Sequence, residues 1–457
     1  MNQKTVFKKK GREAALRALV RVEEDGAYLN LALPALVKNM DPEERALAVH
    51  LARGTMQRLN TLDWSVSLFS HRQIHTLTPW VRNLLRLSAY QLIYLDRVPV
   101  YAVVDQAVHL ARRFGHRGVA GLVNAVLRKL AREADSLPWP ERKQDPLQYL
   151  SITYSQPQWI ISRVIERMGL ERAEQWCRSN LVIPNLSVRP NQMRISPQEL
   201  VDRLETEGFQ AEHSRRVPGL LQLTSGGSPA STGLFKAGLF SIQGESSALV
   251  APLLNPQPEE MIIDLCSAPG GKTTHLAELS KDRGLIYAVD LHQSRLQMVK
   301  KAVQRLKLQS VKTLLADGRT ITGDNFSAIA AAPAAVLVDA PCSGLGVIRR
   351  LPEIKWRRSM QDLSGFQELQ AELLQAAARL LPVGGRLLYS VCTNEPEETG
   401  QVVERFNREH QQFTLQKVPA LLPAPLQREQ ENQYTASLQP DLHGLDGFFI
   451  AVWIKER

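Results

Sequence analysis

The sequence predicts three consecutive units: an all-α bundle, a small α+β module and an α/β doubly wound domain. Three observations carry this. Apolar residues recur at helical spacing, and in no other pattern, through the first 135 residues. Residues 147–235 mix helical and strand-like runs. From Phe235 onward, short apolar runs alternate with turns and helical stretches, which is how buried parallel strands joined by helices read. The 457 residues, 44% hydrophobic and 22% charged, suit a globular chain of several domains.

In the first unit, Asp41-Pro42-Glu43-Glu44 offers an N-cap, a proline at the first helical position and a glutamate three residues on. Thr78-Pro79 repeats the signal before Val81, Leu84, Leu85, Leu87, Leu92 and Leu95. Residues 100–114 and 118–130 complete the bundle. SLPWPERKQDP (136–146) is Pro-rich, charged and aperiodic, and reads as a linker. In the second unit, 158–168 and 171–179 read as helices and LSVRPN (186–191) as a strand. Ser196-Pro197 opens a helix through Leu204, and TSGGSPASTG (224–233) ends the module. In the third, strands are expected at 261–265, 285–290, 311–316, 335–339 and 385–390. The domains are therefore expected at 1–140, 141–235 and 236–457.

The net charge of +10 is unevenly spread. Residues 1–150 hold 23 Lys+Arg against 14 Asp+Glu, residues 151–235 hold 9 against 8, and residues 236–457 hold 24 against 24. A basic front joined to a neutral remainder points to a polyanion-binding part serving a catalytic part. No apolar run approaches the roughly 20 residues of a membrane span, so no membrane partner is expected. Arg12, Glu13, Arg17 and Arg21 interrupt the apolar core that a signal peptide needs after the basic start MNQKTVFKKK. Four cysteines make no disulfide framework and no CxxC pair for zinc, so no metal and a reducing cytoplasm are expected.

The sharpest local signal is MIIDLCSAPGGKTTHLAELS. A buried strand ends at Asp264, a turn holds Cys266, Ser267, Ala268, Pro269, Gly270, Gly271 and Lys272, and a helix follows from Thr273. Ligands of open α/β sheets bind at the carboxyl ends of the strands, where glycine lets backbone approach closely. A phosphate loop would need GxxxxGK[ST], but position 266 is Cys; the GxGxxG of a dinucleotide loop is missing too. Asp290 closes the second strand about twenty residues past the turn, the usual place for an acid that meets ribose hydroxyls. Asp317 follows the third strand, placed for an adenine amino group, and Asp339 closes the fourth. With Asp264, four acids at four successive strand ends form one rim. S-adenosylmethionine fits it: a ribose, an adenine amino group and a cationic sulfonium, with no phosphate.

Cys342, in DAPCSGLG, and Cys392, in LLYSVCTNEPEE, lie in turns just beyond strands on that edge. Cys177 falls on a helix and reads as a small buried hydrophobe. Cytosine C5 is a poor nucleophile, and a thiolate adding to C6 places electron density on C5, which then accepts a methyl group. Asp339 is placed to hold the N3/N4 edge of the base, and a second cysteine could assist release. Spacing alone does not say which cysteine attacks.

DLCSAPGGKT, DAPCSGLG, SVCTNEPEE and the terminal HGLDGFFIAVWIK resemble, in order and spacing, the motifs of the Sun family of RNA cytosine-5 methyltransferases. The helical front, with VPVYAVVDQAVHLAR and GLVNAVLRKL, resembles a NusB-type RNA-binding domain. The resemblance covers nearly the whole chain and implies a Rossmann-like methyltransferase acting on 16S ribosomal RNA. It also implies that Cys392 is the nucleophile, that Cys342 helps release the product, and that 266–272 with Asp290, Asp317 and Asp339 hold S-adenosylmethionine. Val391 stands where many members have Thr before the nucleophile, a departure expected to alter packing beside Cys392 and leave the chemistry intact.

IRRLPEIKWRR interleaves Arg349, Arg350, Lys355, Arg357 and Arg358 with Trp356, which suits phosphate contact plus base stacking. Arg112, Arg113, Arg117, Arg128, Lys129 and Arg132 of the front bundle are a second candidate RNA surface. Two rival classes are a non-catalytic RNA-binding factor with a methyltransferase-like domain and a P-loop ATPase. Two strand-end cysteines argue against the first, the absent first glycine against the second.

Overall fold

The computed structural model describes residues 11–326, 332–430 and 432–456, so the basic start MNQKTVFKKK lies outside the described residues. The chain divides into two units, Met1–Val182 with Ile348–Arg358, and Ile183–Val347 with Ser359–Arg457.

The first unit is helical, with helices Gly11–Glu24, Pro42–Gln57, Pro79–Tyr94, Val100–Phe114 and Arg117–Glu133 around a core that includes Leu16, Leu19, Leu51, Leu85, Leu127 and Leu130. Pro42 and Pro79 stand in the first turn as expected, but neither Asp41 nor Thr78 makes a side-chain cap bond. Glu44 instead accepts the Gly11 amide at 2.7 Å, placing a carboxylate at the positive end of another helix. The break expected between 168 and 171 is a kink inside Gln158–Ser179, where Gly169 has φ 76°.

Segment Ile348–Arg358 corrects one expectation. Lys355 is 2% exposed and donates to the carbonyls of Gln57 and Ser155. Trp356 Nε1 donates to Met56 O at 3.0 Å, and Arg357 donates to the carbonyls of Val22, Gly26 and Ala27. Those three side chains cap backbone groups inside the helical unit; they do not form an open phosphate-and-stacking surface.

The second unit contains two sheets. The smaller runs β2 (Gln210–His213), β3 (Leu221–Ser225), β1 (Leu186–Pro190), β4 (Phe240–Ile242), all antiparallel. Helix Pro197–Thr206, capped by Ser196 Oγ accepting the Glu199 amide at 3.2 Å, buries Leu200, Val201 and Leu204 with Val188, Leu221, Leu223 and Phe240. Only β1 of these strands was legible. β2 and β4 are three or four residues long, too short for a period of two to register.

The larger sheet has the order β10 (Phe413–Leu415), β12 (Phe448–Lys455), β9 (Arg386–Val391), β8 (Ala335–Asp339), β5 (Met261–Asp264), β6 (Leu285–Asp290), β7 (Val311–Leu315), with β11 (Ala436–Leu438) on β12. β9, β8, β5, β6 and β7 are parallel, and β12 runs antiparallel to β9. The two faces of the sheet carry separate apolar clusters, which is why β5, β6, β8 and β9 read as mostly apolar runs, whereas β7 at the edge is half-buried to exposed. The chain runs outward from β5 through β6 to β7 and returns to β8 on the other side of β5. The carboxyl ends of β5 and β8 thus flank a topological switch point, the crevice where such sheets bind ligands.

Candidate active site

The glycine turn follows β5 and leads into helix Gly271–Leu279. Gly270 has φ 102°, and a Cβ there would lie 3.1 Å from Val299 Cα, so only glycine closes this turn at ease. Asp264, 1% exposed, accepts Thr273 Oγ1–H at 2.6 Å. It therefore pins the turn to the helix it precedes and stands behind the rim instead of on it. Asp290 accepts the amides of His292 at 2.9 Å and Ala268 at 3.3 Å, tying the end of β6 to the turn. Asp339 accepts Lys272 Nζ at 2.5 Å and Ser390 Oγ at 2.7 Å. Asp317 accepts the Arg319 amide and guanidinium, a pairing that holds its carboxyl below the usual range. The buried hydroxyl of Ser267 has no hydrogen-bond partner among the described residues.

This donor set fits S-adenosylmethionine. The glycine turn stands at the switch point, its buried Ser267 hydroxyl is unspent among the described residues, and carboxylates at the ends of β6 and β8 suit ribose hydroxyls and a cation.

Burial pushes the Asp264 carboxyl up to about 7 from an ordinary 3.8. An acid with a raised folded-state pKa binds more protons folded than unfolded, so its contribution to stability falls as pH rises from about 4 to about 7. Asp264→Asn keeps an acceptor for Thr273 and cannot ionise. Urea unfolding of both proteins across that window should show the variant gaining on the parent as pH rises. Parallel stability curves would mean that Asp264 ionises as an exposed acid does.

The two turns beyond β8 and β9 bring Cys342 and Cys392 together, Sγ to Sγ at 3.0 Å. Asp339 and Ser390 are register partners at the ends of these strands, so the cysteines leave the sheet side by side. The Gly346 amide donates to Cys392 O at 3.0 Å, and the Gly447 amide to Gly346 O at 2.8 Å. A Cβ on Gly346 would lie 2.1 Å from Gly447 O, so that approach requires glycine. The bond to Cys392 and burial both raise the Cys342 pKa, keeping it a thiol that can donate to its neighbour. Burial also raises Cys266, and pushes Cys177 up to about 12, the behaviour of an inert buried thiol. The partners of the site, among them Thr273, Ser390, Arg319, Gln370 and Glu398, were given no role from the sequence; Thr273, Ser390 and Glu398 lay in motifs noted there, and Arg319 and Gln370 did not.

Residues 251–454 match the family described as 16S rRNA methyltransferase RsmB/F, residues 9–132 the NusB family, and residues 156–228 a ferredoxin-like domain of RsmF/B-like methyltransferases. The chain is 36% identical to the probable ribosomal RNA small subunit methyltransferase B of Bacillus subtilis, over 97% of this chain and 98% of the relative. The chain belongs to the ribosomal RNA small subunit methyltransferase B family. A second methyltransferase B, from Proteus mirabilis, is 31% identical over 97% of this chain and 98% of its own length. Among solved structures, that of the protein PH0851 superposes with a TM-score of 0.84 at 28% identity, covering 98% of this chain and 99% of that one. A methyltransferase homologue from Pyrococcus horikoshii gives a TM-score of 0.58 at 29% identity, covering 68% and 99%. Within the methyltransferase B family the three-part composition expected from the sequence holds: a NusB-like helical front, a small α+β module that is ferredoxin-like, and an α/β methyltransferase sheet.

Proposed function

We propose that this chain is an S-adenosylmethionine-dependent methyltransferase that methylates C5 of a cytosine in 16S ribosomal RNA through a covalent adduct between Cys392 and C6. The observation that carries the reading is the pair of thiols 3.0 Å apart at the carboxyl edge of the sheet, beside the glycine turn. A methyltransferase acting on an exocyclic amine has no use for two adjacent sulfurs. Membership of the methyltransferase B family supports the ribosomal substrate.

Residues 266–272, Asp290, Asp317 and Asp339 would hold S-adenosylmethionine, which supplies the methyl group. The chain's own residues do the rest. Cys392 gives up its thiol proton to solvent and the thiolate sulfur adds to C6, breaking the C5–C6 double bond and making C5 nucleophilic. Asp339, anchored by Lys272 and Ser390, receives the N3/N4 edge of the base. Once C5 carries the methyl group, its proton leaves to a base and the Cys392–C6 bond breaks, restoring the ring. Cys342, in contact with the attacking sulfur, is placed to manage the proton of that release. In the proposed division, residues 1–140 engage RNA, 141–235 support the catalytic part, and 236–457 carry the chemistry in the cytoplasm. Arg112, Arg113, Arg117, Arg128, Lys129 and Arg132 are exposed on the NusB-like front, where they offer phosphate contacts.

Incubation with tritiated S-adenosylmethionine and 16S rRNA, followed by bisulfite sequencing, tests the reading. Label should enter the RNA, and one cytosine should become resistant to deamination; label without a resistant cytosine would overturn C5 as the target. Asp290→Ala should weaken S-adenosylmethionine binding by about 1–3 kcal/mol, the cost of leaving ribose hydroxyls without their carboxylate partner. Unchanged affinity by calorimetry would remove Asp290 from the site.

A further inference from the structure

Cys342 is held from both sides. Gln370 Nε2 donates to the carbonyl of Pro341, the residue before it, at 3.0 Å, and also to Glu398 Oε2 at 3.0 Å. The same carboxylate oxygen accepts the amide of Ser343, the residue after it, at 2.8 Å. Ser343 Oγ in turn reaches Thr393 Oγ1 at 3.1 Å, next to Cys392. Tyr389, on β9, donates its hydroxyl to Glu398 O at 2.7 Å and fixes the main chain that carries the carboxylate. Glu398, Gln370, Ser343 and Thr393 are all fully buried.

We propose that Glu398 is a positioning residue which, through Gln370 and the Ser343 amide, holds the Cys342 turn so that the two sulfurs stay in contact. The inference rests on the reading that both thiols act on the base. Among the described residues no cation pairs with Glu398, and a carboxylate so buried is costly to keep; burial raises its pKa. Its one evident use is to gather donors from two segments, and those donors bracket Cys342. Glu398 touches neither the base nor the cofactor in this scheme. It acts by fixing where Cys342 sits, and a displacement of about 1 Å in such a group can cost about 100-fold in rate.

Two readouts test it on the full-length protein. The first needs no RNA: diamide, a diazene oxidant, takes one hydrogen from each thiol as a disulfide forms, and mass spectrometry follows the Cys342–Cys392 bond. The second measures kcat and KM for RNA, with denaturing electrophoresis for covalent protein–RNA complex. Glu398→Ala should slow disulfide formation at least about tenfold and lower kcat by about 10- to 100-fold, with KM falling in step and kcat/KM nearly unchanged, because only the release that follows methyl transfer is slowed. Covalent complex should accumulate. Glu398→Gln keeps an oxygen that accepts both donors, and should stay within about threefold of the parent. A Glu398→Ala protein with parental oxidation and turnover overturns the proposal. So does a Glu398→Gln protein as impaired as Glu398→Ala, since charge rather than position would then matter. If Glu398→Ala does not fold by circular dichroism, Gln370→Ala decides in the same way, because it frees only the Pro341 side. A parent that oxidises rapidly yet forms no complex with 5-fluorocytidine RNA would sink the covalent reading and leave the oxidation arm to judge Glu398.

Discussion

Replacing Cys392 by alanine is expected to abolish methyl transfer and leave no covalent RNA complex, even when the target carries 5-fluorocytidine. That analogue has no C5 proton to lose, so an enzyme able to attack C6 stays trapped on it. Cys342→Ala is expected to behave differently. It should still attack and transfer methyl, then accumulate a complex with ordinary RNA that survives denaturing electrophoresis. Attack precedes transfer and elimination follows it, so each thiol's loss stalls a different step. The 3.0 Å contact makes the distinction necessary, because geometry alone gives either sulfur access to the other's proton. A complex with the Cys392 variant and none with the Cys342 variant would reverse the assignment. If the parent forms none on the fluorinated target, the covalent mechanism itself fails.

What the sequence disclosed and what it hid have separate physical causes. Four of the five parallel strands, β5, β6, β8 and β9, were legible because both faces of the sheet are covered there, so they are short, mostly apolar runs ended by a turn; β7, the half-covered edge strand, was legible from its place in the alternation of strand and helix. β10 and β11 have three residues each and draw their stability from pairing with β12, which no local pattern records. The acids and cysteines of the site were legible because they punctuate strand ends. Their pairings were not, because Lys272, itself in the glycine turn, meets Asp339 across 67 residues and Ser343 meets Glu398 across 55. Asp264 was counted with the rim because a strand-ending acid looks the same whether it faces a crevice or a neighbouring threonine. The IRRLPEIKWRR segment misled for a related reason. Composition says that Lys355 is cationic, but not that its ammonium will be buried on carbonyls 298 and 200 residues away.

The second large effect should come from Arg189, on β1 of the ferredoxin-like module. Its guanidinium is buried and paired with Glu278 Oε1 at 2.8 Å and Oε2 at 3.0 Å. It also donates to Gly271 O at 3.0 Å, to Thr274 Oγ1 at 3.2 Å and to Gln243 Oε1. One side chain thus joins the small sheet to the first turn of the helix that follows the glycine turn. Arg189→Met preserves much of the volume and leaves the Glu278 carboxylate buried without its cation. Breaking a buried pair from one side costs about 3–5 kcal/mol, because the remaining charge is uncompensated. Arg189→Met with Glu278→Leu removes that charge too, and should recover most of the loss in urea unfolding. S-adenosylmethionine affinity should not recover with it, because the bond to the Gly271 carbonyl is absent from both variants. Stability and affinity restored together would mean that Arg189 only neutralises Glu278. Stability restored alone would mean that the small module sets the geometry of the cofactor turn from outside the catalytic sheet.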